Sequence, residues 1–165
     1  MNNASQNRVF LFTSNQLCKL LLCLVCFASA EIKSVYATEI ILAHEADSLF
    51  NVGNYEQAKN EYEKVLKLAR ANEDLKQQAL ICNKIGQCLS LAGKDKEAVP
   101  YFKKSAQQAM MINDSATVSD ALNNYGIAHE YTGNFDSAFF YFEKALLIRE
   151  KLNDTTRIAA SIRNM

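Results

Sequence analysis

One proline and five glycines in 165 residues are too few for a loop-rich or all-β chain, whose turns draw on both. An excess of either charge is also missing: 18 Lys and Arg balance 18 Asp and Glu. Such a chain has neither the basic footprint of a nucleic-acid binder nor an acidic tail. Its N-terminal apolar run, residues 20–28 (LLLCLVCFA), falls short of the ~20 residues a membrane span needs. The two histidines, His44 and His129, are far apart and show no H-E-x-x-H spacing. Gly-rich phosphate loops, nucleophile elbows and serine/lysine motifs are lacking as well. These absences leave catalysis, metal binding and a resident cofactor without supporting residues.

The first residues read as a secretory signal. Arg8 and Lys19 flank the apolar run, and Ala28-Ser29-Ala30 is a small-x-small cleavage pattern. The expectation is a signal peptide over residues 1–30, with a second cleavage candidate after Ala37 and an uncleaved anchor as the alternative. Cys23 and Cys26 follow Leu22 and Val25 rather than small residues, which argues against a lipoprotein anchor. The expected location is periplasmic or secreted, with membrane contact only through this segment. Cleavage would remove two basic residues and no acid, leaving the mature chain at net charge −2. It would also leave Cys82 and Cys88, six residues apart on one expected helix. Their Cα atoms would lie ~9 Å apart along the axis, beyond the ~7 Å limit for a disulfide, so two buried free thiols are expected.

The rest of the chain repeats with a period of 40. Gly53-Asn54-Tyr55 recurs as Gly93-Lys94-Asp95 and Gly133-Asn134-Phe135. An alanine follows at a fixed offset (Ala58, Ala98, Ala138), then an aromatic four residues on (Tyr62, Phe102, Phe142). Asp74, Asp114 and Asp154 share another register, and Gly86 and Gly126 a third. Apolar residues between these markers fall at helical spacing, as in Leu122, Tyr125, Gly126 and His129. Gly53, Gly93 and Gly133 are therefore expected at turns needing positive φ, and the three aspartates as N-caps of new helices. In mid-helix Gly86 and Gly126 would each cost ~1 kcal/mol against Ala, so their recurrence predicts close helix crossing. Asp95 is expected as the N-cap of the helix containing Pro100, which loses one hydrogen bond there.

These residues resemble the tetratricopeptide repeat family. Its small residue in the first helix falls on Ala46, Gly86 and Gly126, and its turn glycine on Gly53, Gly93 and Gly133. Its second-helix alanine and aromatic fall on the residues named above. The 40-residue period is longer than the family's usual ~34 and is similar to the long-helix variety of kinesin light chain. The resemblance implies an all-α, right-handed α-solenoid of antiparallel helix pairs. Its repeats would be 39–72, 79–112 and 119–152, with 155–165 either the first helix of an incomplete fourth or a capping helix.

The family's first helices line a concave groove, and the resemblance puts Asn83, Lys84, Gln87, Asn123, Asn124, Ile127, Glu130 and Tyr131 on it. An Asn carboxamide both donates and accepts, so stacked Asn residues could hold an extended peptide of any sequence. Equally, they could bridge neighbouring helices, since buried polar groups need partners. Only Lys84 and Arg163 offer positive charge there, too little for the family's carboxylate clamp. His129 is expected to be a hydrogen-bonded core histidine. In the aromatic run at 139–142 (FFYF), Phe139 is expected to pack on the following helix and Phe140 to face outward as a convex contact. Ile158, Ile162 and Met165 give the last helix an apolar side, which makes self-association through the incomplete repeat a further expectation. The expected function is an exported, non-enzymatic scaffold for a protein or peptide. The alternative is the N-terminal sensor region of a membrane-bound signalling regulator of the histidine kinase or helix-turn-helix type.

Overall fold

The computed structural model describes residues 37–165, and the expected signal segment lies outside them. Seven helices follow one another among the described residues: α1 (37–51), α2 (Tyr55–Ala71), α3 (Leu75–Leu91), α4 (Asp95–Met111), α5 (Ser115–Tyr131), α6 (Phe135–Lys151) and α7 (Thr155–Asn164). Each of α2 to α6 has 17 residues and α7 has 10. With three-residue connections, the long helices account for the 40-residue period. Consecutive helices from α2 to α7 pack on one another, and α3 also touches α5, so the pairs stack into an α-solenoid. None of these helices is long and apolar enough to cross a membrane.

Two kinds of turn alternate. After α1, α3 and α5 the chain takes positive φ at Gly53 (84°), Gly93 (74°) and Gly133 (80°). The next amide then reaches back into the helix end, as Lys94 N–H does to the Leu89 carbonyl at 2.8 Å. After α2, α4 and α6 the positive φ falls on Glu73, Asn113 and Asn153, at 55–56°. The same backward hydrogen bond closes these turns, with Asp114 N–H on the Ala109 carbonyl at 3.0 Å. A side chain in this region costs ~1–2 kcal/mol, and Asn tolerates it better than most residues.

The aspartates following those turns cap α3, α5 and α7 as expected. Their carboxylates accept from Gln77, Thr117 and Arg157 N–H at 2.9, 3.1 and 3.0 Å. These bonds hold Asp114 and Asp154 below the usual carboxylate range. The second helices differ. Asn54, Lys94 and Asn134 occupy the cap positions without a side-chain hydrogen bond. Asp95 is therefore not the N-cap of α4 but its first residue, and its carboxylate accepts from Ser90 Oγ instead. Helix α4 continues through Pro100, which is exposed.

The core is built from the repeated small–aromatic pairs. Ala58, Ala98 and Ala138 are buried beside Tyr62, Phe102 and Phe142 on the second helices. Gly86 and Gly126 lie under the rings of Phe102 and Phe142. A Cβ placed at either would fall 2.5 or 2.6 Å from a ring carbon. The close crossing expected from their recurrence is thus an aromatic ring seated on bare helix backbone. Cys82 and Cys88 are buried free thiols, and burial pushes Cys88 up to about 11. A thiol so far above neutral pH is a poor nucleophile.

Candidate functional site

The first helices α1, α3 and α5 carry the residues expected to line a groove. The carboxamides on this face join one repeat to the next. Asn124 on α5 donates from Nδ2 to Asn83 Oδ1 on α3 at 3.0 Å. One repeat on, Asn164 on α7 donates to Asn123 Oδ1 at 3.2 Å, the same offset of 41 residues. The two carboxamide links differ in exposure. Asn123 is 7% exposed, and its oxygen also accepts from Arg149 Nη1 at 3.2 Å. Asn83 and Asn124 are half-buried, and among the described residues nothing hydrogen-bonds to Asn83 Nδ2 or Asn124 Oδ1.

Lys84 is committed within the protein. Its ammonium donates to Asp47 Oδ1 at 3.0 Å and sits 5.2 Å from the Phe50 ring centroid. Asp47 also accepts from the Tyr62 hydroxyl. Burial pushes the Asp47 carboxyl up, but the hydrogen bonds from Tyr62 and Lys84 outweigh it and hold the group below its ordinary value. This neutral cluster ties the first pair of helices to the second.

Gln87, Asn124 and Ile127 come together with Phe50, Ser90 and Leu91 around a cleft of about 220 Å³, with Phe102 behind it. Glu130 and Tyr131 fall elsewhere. Tyr131 is 74% exposed at the end of α5 and borders a cleft with the Gly93–Glu97 turn. Glu130 borders another with Phe135, Phe139 and Met165. Glu130 and Tyr131 both share a face of α5 with Ile127 but lie one helical turn further on, at the C-terminal end of the helix, and so border different clefts. Phe140 is half-exposed as expected, with Lys144 Nζ 4.2 Å from its ring centroid. Phe139 does not pack away. It stays 49% exposed, whereas its counterpart Val99 packs against the core.

His129 corrects a further expectation. Its ring is held by stacking, with centroids 4.6 Å from Tyr125 and 5.5 Å from Tyr141, and its buried Nδ1 has no hydrogen-bond partner. Burial holds the imidazole below its ordinary 6.5. The unfolded chain therefore binds this proton more readily. The stability His129 contributes is complete above pH 6.5 and declines as pH falls toward the lowered value. Leucine fills this place in the other repeats as Leu49 and Leu89. His129→Leu should accordingly fold and show a shallower fall of melting temperature between about pH 7.5 and 5.5. Thermal melts across that range check it, and an unchanged slope would assign the pH dependence to other groups.

Sequence reasoning missed Arg149. It is 3% exposed on α6, where the earlier repeats have the buried alanines Ala69 and Ala109. Its guanidinium donates to Asp120 Oδ1 and Asn123 Oδ1 on α5, and to Ser161 Oγ and the Arg157 carbonyl on α7. The signal was available as one arginine in a register of alanines. Among the described residues no three His, Cys, Asp or Glu side chains gather as a metal site.

Comparison with known proteins agrees with this architecture. Structures similar to this chain include the TPR domain of Arabidopsis FLU, at TM-score 0.68 and 16% identity over 71% of this chain and 98% of that one. BtubC (BKLC) from P. vanneervenii aligns at TM-score 0.69 and 22% identity, over 76% of this chain and 53% of that one. The N-terminal domain of stress-induced protein-1 (STI-1) from C. elegans aligns at 0.60 and 15%, over 77% and 96%. At these identities the likeness is one of fold. No curated protein matches the sequence. The tetratricopeptide repeat family model matches twice, over residues 38–109 and 78–151. Overlapping matches across three stacked helix pairs leave one assignment: the chain belongs to the tetratricopeptide repeat family.

Proposed function

We propose that this protein is an exported, non-enzymatic scaffold that holds an extended peptide against the face of α3 and α5. The observation that carries the reading is the half-buried Asn124–Asn83 pair. Its internal bond leaves the amide nitrogen Asn83 Nδ2 and the acceptor Asn124 Oδ1 without a partner among the described residues. A peptide main chain offers the complementary carbonyl and N–H at every residue. Carboxamides and apolar side chains supply neither acid–base nor nucleophilic chemistry at neutral pH, which supports a binding rather than a catalytic role. Export rests on the charged flank, apolar run and cleavage pattern of residues 1–30.

The test is binding of peptides selected from a random twelve-residue display library. Asn83→Ala/Asn124→Ala should weaken their affinity at least about tenfold, since two main-chain hydrogen bonds are lost. The melting temperature should drop by no more than a few degrees, because both residues are half-buried and Ala favours helix. Unaltered affinity, or a collapse in stability, would make the pair a purely internal strut.

A further inference from the structure

Two charged groups on this face are paired internally. Lys84 and Asp47 neutralise one another at 3.0 Å, and Asp120 is paired with Arg149 and Arg157 at 3.0 and 3.1 Å. Asn83, Gln87, Asn124 and Ile127 on the same helices are uncharged, and none of the residues lining the cleft beside them carries a charge. A ligand charge placed there would lose its hydration without gaining a partner, which is costly. Beside the amides opens the cleft of about 220 Å³ bordered by Phe50, Leu91 and Ile127. Leu91 is 55% exposed, so this wall has apolar surface left to bury.

We infer that the ligand is an extended polypeptide segment, uncharged where it crosses α3 and α5, with one aliphatic or aromatic side chain seated in this cleft. The inference rests on the peptide-binding reading and adds the class of sequence recognised. An amphipathic helix fits less well. It would need a row of anchor pockets at helical spacing, whereas this cleft is followed by a floor of carboxamides. With no charged residue lining the cleft, the interaction is also one that salt does not screen.

The same selection from a random twelve-residue library on the purified protein decides the matter. Selected peptides should share one Leu, Ile, Met or Phe among uncharged neighbours. Their affinity should change less than about twofold between roughly 50 and 500 mM NaCl. Ile127→Gln, which copies Gln87 of the second repeat, should weaken them at least about tenfold while leaving the melting temperature within a few degrees. Peptides enriched in charge, with salt-sensitive affinity, would overturn the inference and leave the peptide-binding reading standing. So would anchors spaced three and four apart, or full affinity in Ile127→Gln. A library that yields no binder would overturn the peptide-binding reading itself.

Discussion

Gly126→Val should destabilise the protein by about 3 kcal/mol, measured by chemical denaturation, because it overpacks a filled site. A Cβ at this position meets Phe142 Cε1 at 2.6 Å and the Ala138 carbonyl oxygen at 3.1 Å. The ring is 2% exposed and the carbonyl belongs to the backbone of α6, so neither can swing into solvent. Helix propensity argues the opposite way, since leaving glycine should gain a few tenths of a kcal/mol or more. The sign of the change therefore discriminates between the two effects. The first repeat gives a control, because Ala46 stands at the equivalent position opposite Tyr62. There the aromatic is held by its hydroxyl on Asp47, and Ile127 occupies the corresponding place in the third repeat. Gly126→Ala should accordingly cost less than valine yet still destabilise. Phe142→Leu should relieve part of that cost in a double-mutant cycle. A stability gain from Gly126→Ala would show that the ring gives way, and the close crossing would lose its significance.

What the sequence made legible is what repeats. The turn glycines, the three aspartate caps and the Gly–Phe contacts each recur at 40 residues, so a register could be read without knowing any contact. The positive φ at Glu73, Asn113 and Asn153 was not legible, because no glycine marks these turns and the first of them carries it on a Glu, which usually avoids that region. The candidate groove was legible in composition but not in use. Asn–Asn pairing runs between neighbouring repeats at an offset of 41, so a residue's own repeat does not show its partner. Lys84 looked like free positive charge until Asp47, 37 positions earlier, was seen to neutralise it. His129 misled for a different reason. Its counterparts are leucines, and their packing requirement was met by ring stacking rather than by a hydrogen bond.

Arg149→Ala presents the opposite conflict between repeat register and local chemistry. By register it is harmless, since Ala69 and Ala109 fill the same place and are fully buried. By chemistry it removes the donor shared by Asp120, Asn123, Ser161 and the Arg157 carbonyl, at 2.6–3.2 Å. Ser161 is fully buried and Asn123 nearly so, and water cannot easily replace the lost bonds. The guanidinium also bridges α5, α6 and α7, so its loss loosens α7 in particular. The expected outcome is a loss of about 3 kcal/mol, as when one partner of a buried charged group is removed. Amide hydrogen exchange should accelerate first across α7, which makes few other buried contacts and has only Ser161 fully buried. Arg157 still pairs with Asp120 at 3.1 Å, which keeps the aspartate from being stranded and caps the size of the effect. Arg149→Lys should recover less than half of the loss, because one ammonium cannot direct donors to acceptors on two flanking helices as the planar fork does. Alanine within about 0.5 kcal/mol of wild type would mean that the buried Nε, which has no partner, already costs what the other bonds contribute.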